Sequence, residues 1–208
     1  MLALFVGLFF VGTSVKAQDV KEANWSLRAG MNLAKYNGIP TGVKSSVEPG
    51  FYLGGGMQYL FTENIFLETG LDLSIKRSSL KLSGWLGDLA DEYLDENAKA
   101  KINPIYFHIP IHVGYKFYFT DDMKLNLSAG PFMAFGLGGK AKEDGESYDI
   151  FGSDEGFKRF DFGLGLKVGL DINKINVHMG YDFGLINVHN TMNDIHTRNF
   201  YIGLAYNF

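Results

Sequence analysis

The 208-residue chain contains no cysteine, which excludes disulfides, thiolate metal sites and a lipid-modified cysteine behind a leader. No apolar run reaches the ~20 residues that a membrane-crossing helix needs. Insertion into a bilayer, if it occurs, must therefore use β-strands. There is no basic excess either. The net charge is −4, so nothing suggests nucleic acid as a partner. No G-x-S-x-G motif surrounds any serine, and no EF-hand spacing occurs among the acidic residues.

What is present points to strands and turns. Glycine occurs 26 times, and aromatics make up 15% of the chain, with 18 Phe and 11 Tyr. The N-terminus differs from the rest. Leu2 to Val11 is a nearly unbroken apolar run, and Val15-Lys16-Ala17 offers a cleavage site before Gln18. Residues 1–17 are therefore expected to be a secretory signal peptide, and 18–23 a short periplasmic lead-in. No basic residue precedes the apolar run, which points to a true start upstream of Met1.

From residue 24 to 208 the chain reads as one domain of eight alternating segments. They are Asn24–Lys35, Gly50–Leu60, Asn64–Lys76, Ile102–Phe119, Lys124–Gly138, Lys158–Ile172, Ile175–Asn187 and Thr197–Phe208. Most match the ~9–11 residues of a tilted membrane strand. Long connections (Tyr36–Pro49, Arg77–Lys101, Gly139–Phe157) and one of intermediate length (Val188–His196) alternate with short ones (Phe61-Thr62-Glu63, Thr120–Met123, Asn173-Lys174). Long loops at one end and tight turns at the other define an outer-membrane barrel with both termini in the periplasm.

Parity sharpens this expectation. One face of the segments is large and apolar (for example Leu27, Leu53, Leu71, Val113, Leu127, Leu166, Val177 and Leu204). The other holds most glycines and the charges. An eight-stranded barrel has an interior just wide enough for its own side chains or one small ligand. So many large apolar residues cannot fit inside, and in water they would form a large exposed patch. They must face lipid, which separates this chain from a lipocalin-like barrel with an apolar interior. Aromatics gather at both ends of the segments, as two interfacial belts require. The last segment, RNFYIGLAYNF, puts Phe200, Ile202, Leu204, Tyr206 and Phe208 on one face. Tyr206 and Phe208 look like the C-terminal signal by which outer-membrane barrels are recognised by the barrel assembly machinery.

The segment Ile105-Tyr106-Phe107-His108-Ile109-Pro110-Ile111, followed by Tyr115-Lys116-Phe117, resembles the proline-containing strand of the PorT-like outer-membrane β-barrel family. Asp161-Phe162-Gly163-Leu164-Gly165-Leu166 and the terminal Arg198-Asn199 … Tyr206-Asn207-Phe208 also fit it. The resemblance implies the fold and the bacterial outer membrane. Some members serve a protein-secretion system and many have no assigned role, so secretion machinery is one kind of partner the resemblance suggests.

The inward face is expected to carry Arg28, Lys76, Lys116 and Lys167 against Glu68, Asp72, Asp161, Asp171 and Asp182. In a narrow lumen these ions should pair, because an unpaired buried charge is costly. The expectation is a polar plug with negligible conductance. His108, His112 and His178 share the same parity, but His108 and His112 stand roughly 13 Å apart on a strand, too far to chelate one metal ion. No metal, cofactor or catalytic site is expected. Pro110 predicts a bulge or local break, shared with Pro131 in the next strand. In the third connection, Trp85, Leu86, Leu89, Tyr93 and Leu94 recur at helical spacing among acidic residues. This predicts a short extracellular helix, serving as a lid over the mouth or, through Trp85, Leu89 and Tyr93, as a docking surface.

The sequence thus predicts an all-β, eight-stranded, antiparallel, up-and-down transmembrane barrel with long extracellular loops and one short helix. Its contacts would be outer-membrane lipid, the assembly machinery and a protein partner met through the extracellular loops or the periplasmic turns. The function expected is non-enzymatic, structural or interaction-based. The alternatives are a lipid-modifying barrel enzyme and a narrow solute pore.

Overall fold

A computed structural model describes residues 23–38, 43–82, 99–143, 146–151, 156–191 and 194–208. The expected signal peptide, most of the lead-in and the expected helix bearing Trp85, Leu89 and Tyr93 lie outside the described residues. The strands are β1 (Ala23–Asn37), β2 (Val43–Leu60), β3 (Ile65–Ile75), β4 (Ser78–Leu82), β5 (Lys99–Tyr118), β6 (Met123–Glu143), β7 (Glu146–Asp149), β8 (Phe160–Ile172), β9 (Ile175–Gly184) and β10 (His196–Asn207).

Eight of these close a ring in the order β1-β2-β3-β5-β6-β8-β9-β10, every pair antiparallel. The terminal strand closes it, running from Ser26↔Asn207 to Asn37↔His196. Closure leaves no edge at membrane depth, where an unpaired backbone group has no water to satisfy it. The turns at residues 61–64, 119–122 and 173–174 lie at the end where β1 begins and β10 finishes. Asn173 takes a positive φ of 53° in its hairpin turn, a conformation that asparagine tolerates better than most residues.

The faces divide as parity requires. Trp25, Leu27, Leu53, Val113, Leu166 and Leu204 on the outer wall are 54–61% exposed. Their inward neighbours Arg28, Asp72, His112, Lys116 and Asp182 are buried. Rings pack at both rims of the apolar band. Tyr59–Phe61, Tyr115–Phe117 and Tyr206–Phe208 meet at the turn end, with centroids 5.3, 4.8 and 5.4 Å apart. Phe135–Phe160 and Tyr181–Phe183 meet at the other, at 5.1 and 4.5 Å.

The loop end departs from the expected boundaries. β2 starts at Val43, β5 at Lys99, and β6 runs to Glu143, so part of each long connection is wall. Ser78–Leu82, expected as loop, is strand β4; it continues the line of β3 between β2 and β5. β7 folds back on β6 from Glu143↔Glu146 to Lys140↔Asp149. Two irregularities hide the extensions of β2 and β6. Between Val47↔Ser78 and Phe51↔Ile75, β2 advances one residue more than its neighbour. Between Ile105↔Gly138 and Tyr106↔Gly136, Leu137 is the extra residue in β6. A one-residue slip exchanges the two faces, so the alternation below does not continue above.

Pro110 sits in unbroken strand. The ladder to β3 passes from Asp72↔His108 to Thr69↔Ile111, without partners at Ile109 and Pro110. The ladder to β6 passes from Pro110↔Phe132 to Val113↔Ala129, leaving out Gly130 and Pro131. Register is the same on both sides of each gap. The proline therefore causes a local break, and the bulge in β5–β6 lies at Leu137 instead.

Candidate functional site in the barrel lumen

The inward face builds three polar layers. In the central one, the Arg28 guanidinium from β1 forks onto Asp72 of β3, Nε to Oδ1 at 2.6 Å and Nη2 to Oδ2 at 2.9 Å. Its Nη1 reaches Glu68 Oε1 at 3.2 Å. Lys167 from β8 donates to the same Glu68 oxygen, and Gln58 Nε2 to the other at 3.4 Å. Glycine makes this possible. A Cβ on Gly54 would lie 2.1 Å from Asp72 Oδ1, and one on Gly70 2.6 Å from Arg28 Nη2. A planar, bidentate, charge-assisted pair is the geometry in which a buried ion pair best offsets its desolvation.

Toward the turn end, Asp171 accepts from Asn126 Nδ2 and Asn176 Nδ2, each at 2.7 Å. Lys116 lies with Nζ 5.4 Å from the centre of the Phe66 ring. Toward the loop end, Thr197 donates to Asp161 Oδ2 at 2.6 Å and Asn199 to Asp182 Oδ2 at 3.0 Å. Lys76, 2% exposed, makes no hydrogen bond at Nζ, which sits 5.3 and 5.5 Å from the Tyr106 and Phe132 ring centres. A buried ammonium over two ring faces gains cation–π attraction without a carboxylate in hydrogen-bond contact.

The histidines occupy separate stations. His108 lies between Asp72 and Asp182, at 3.7 and 3.4 Å. His178 meets the Tyr52 hydroxyl through Nε2 at 2.6 Å and Asn176 Oδ1 through Nδ1 at 2.9 Å. Neither ring nitrogen of buried His112 has a hydrogen-bond partner. Arg28, Tyr52, His108, His112, His178 and Asp182 are among the residues around a cavity of about 30 Å³. That is room for about one water molecule.

Of the residues expected in the lumen, Arg28, Glu68, Asp72 and Lys167 form one cluster. Asp161, Asp171 and Asp182 are bound mainly by amides, a hydroxyl and His108, while Lys76 and Lys116 rest on rings. Asn126, Asn176 and Thr197, which satisfy carboxylates, and Tyr52, which meets His178, are not among the expected site residues, nor is Asn199 expected as the partner of Asp182. Their signal was a hydrogen-bonding group on the inward face.

An apolar cap closes the loop end, and sequence reasoning missed it. Ile102, Tyr106, Ala134, Ile150 and Phe151 form one buried cluster, Tyr36, Val188 and Ile195 a second, and Phe157 packs against both. The residues come from the wall and from the connections after β6 and β9. Phe157 N donates to Ile150 O and Lys158 N to Val188 O, both at 2.8 Å, and Phe157 bridges to His189. Arg159 Nη1 holds Gly136 O at 3.1 Å with its guanidinium carbon 5.3 Å from the Phe151 ring centre. Burial and nearby Lys158 lower the His189 imidazole below its ordinary value. Its Nδ1 accepts from Thr191 N at 3.3 Å. The signal was the isolated pairs and singlets of large apolar residues inside polar connections.

A closed antiparallel barrel with an apolar exterior, aromatic rims and an ionised interior is a membrane barrel. The family described as "Outer membrane protein beta-barrel domain" matches residues 16–190, and the chain belongs to it. It is accordingly a protein of the bacterial outer membrane. Among solved structures, the outer membrane protein OprG of Pseudomonas aeruginosa is 16% identical, covering 93% of this chain and 99% of its own, with a TM-score of 0.52. Neisserial surface protein A is 16% identical over 90% of this chain and 100% of its own, with a TM-score of 0.47. Ail of Yersinia pestis is 14% identical over 90% and 99%, with a TM-score of 0.43. A comparison with curated proteins returned no match.

Proposed function

We propose that the protein is a non-enzymatic barrel with a structural or interaction role, and that it works through its extracellular end rather than through its lumen. One observation carries this reading: the interior is filled. Ion pairs and amides occupy it, the cavity left is about 30 Å³, and an apolar cap lies over the loop end. A solute path needs continuous water, and a ligand site needs a few hundred cubic ångströms.

In this reading residues 1–17 direct secretion, residues 18–23 lead into the barrel, and Tyr206 and Phe208 are read by the assembly machinery. The segment containing Trp85, Leu89 and Tyr93 docks a protein partner, and the PorT-like resemblance favours a partner from a secretion machinery. The test is a cross-linking pull-down from intact cells with the full chain, a chain lacking residues 84–99, and a lumen variant, Tyr52→Phe. Loss of the captured partner on deletion alone supports the reading. Full capture and an unchanged phenotype after the deletion would overturn it.

A further inference from the structure

One inward-facing cross-strand row runs through Glu68, His112, Gly130, Gly165, Asp182 and Asn199. Glu68 is opposite His112, Gly130 opposite Gly165, Gly165 opposite Asp182, and Asp182 opposite Asn199. His112 falls opposite Gly130, inside the gap in the β5–β6 ladder, because register is the same on both sides of that gap. His112 on β5 and Asp182 on β9 therefore stand three strands apart, ~14 Å along the wall.

The two positions between them carry no side chain. The His112 ring reaches across this bare stretch, and its Nε2 lies 2.7 Å from the point where a Cβ on Gly165 would stand. Asp182 Oδ1 lies 3.1 Å from the same point. The two atoms are thus less than about 6 Å apart, a gap that two hydrogen bonds of ~2.8 Å to one water span.

Neither atom has a hydrogen-bond partner among the described residues, and neither does Asn199 Oδ1, next in the row. His112, Asp182 and Asn199 are 1%, 1% and 4% exposed, and all three line the cavity of about 30 Å³. Leaving such groups unsatisfied is costly, and a buried water typically serves about three of them. Charge narrows the choice of occupant. Arg28 and Lys167 line the same cavity and repel a cation, while Glu68, Asp72 and Asp182 repel an anion. The unsatisfied set combines a ring nitrogen with two oxygens that only accept. A neutral species that accepts once and donates twice matches it, and water does both.

We propose that this cavity is a specific water site. One buried water accepts from His112 Nε2–H and donates to Asp182 Oδ1 and Asn199 Oδ1. It braces β5 against β9 and β10, strands with which β5 shares no ladder. It also joins His112 to the ion network, because Asp182 Oδ2 lies 3.4 Å from His108, which stands 3.7 Å from Asp72. One isolated water is no path for a solute, and the site is independent of what the extracellular end binds.

The test uses the full-length protein. Crystals grown in rubidium chloride should show one density peak within hydrogen-bond distance of His112 Nε2 and Asp182 Oδ1, without anomalous signal. In bilayers, solid-state NMR with isotope-labelled histidine should place the His112 proton on Nε2 and show magnetisation transfer to it from water. Gly165→Ala, whose folding is checked by heat-modifiable gel mobility, should lose both the peak and the transfer. If that variant does not fold, the wild-type map and spectrum decide. A rubidium anomalous peak assigns the site to a monovalent cation and overturns the proposal. So do a direct His112–Asp182 hydrogen bond, a site with neither density nor water transfer, and a water signal that persists in folded Gly165→Ala.

Discussion

Arg28 shows how much a single residue organises in this molecule. Its fork joins strands β1 and β3 through Asp72, and its remaining nitrogen reaches Glu68, which also receives Lys167 from β8. Removing one partner of a buried pair leaves uncompensated charge behind. Arg28→Met is expected to destabilise the barrel by about 3–5 kcal/mol in reversible urea unfolding from lipid vesicles. Tyr52→Phe removes one hydrogen bond, to His178, and leaves the ring in place. It should cost about 0.5–1.5 kcal/mol in the same assay. A larger loss for Tyr52→Phe than for Arg28→Met would contradict the view that ion pairing dominates the interior. The charged residues themselves were legible, because parity alone puts Arg28, Asp72 and Asp182 inside. Their partners were not, because contact across a lumen depends on barrel register and closure, which one sequence does not encode locally.

At the scale of the element, the strands divide into a regular lower part and an irregular upper part. Alternation in the lower part made eight segments visible. In the upper part, the slips at Leu137 and in β2 exchange the faces of β6 and β2, so the tops of these two strands read as loop, whereas β4 and the top of β5 keep the register below, from Ile75↔Ile105 to Ser78↔Ile102. Deleting Leu137 should put Lys140 on the face of the capping cluster. The membrane part would still form, with normal heat-modifiable mobility, but limited proteolysis should cut the connections between β6 and β8 several times faster than in wild type. Unchanged proteolysis would show that the slip does not position the cap. The cap should also respond to acid. His189 has a lowered pKa, so its neutral form belongs to the folded cap, and protonation removes the acceptor that Thr191 N uses. Cap stability is therefore complete above the ordinary histidine value of about 6.5 and falls as pH drops below it. Hydrogen exchange in residues 156–191, corrected for intrinsic rate, should rise between pH 7.5 and 5, and His189→Asn should flatten that dependence.

For the whole molecule, closure by the last strand is the decisive event. β10 pairs with β9 on one side and with β1 on the other, from Ser26↔Asn207 to Asn37↔His196. Phe208 lies 72% exposed beside Tyr206, at the turn end of the wall. Phe208→Ala should reduce the fraction of protein inserted in the outer membrane while leaving the stability of the inserted fraction within about 1 kcal/mol of wild type. Normal insertion would detach that residue from assembly. The overall architecture was legible because an eight-stranded ring leaves little freedom once strand number and inner face are known. The cap was not, since its residues meet only after the barrel has brought the connections after β6 and β9 to one mouth. The central claim is that this closed ring has a filled interior. Single-channel recording in planar bilayers tests it most directly. The filled lumen predicts no steady conductance above the baseline from correctly folded protein. Large, stable current steps, reproduced with heat-modifiable, folded protein, would contradict it.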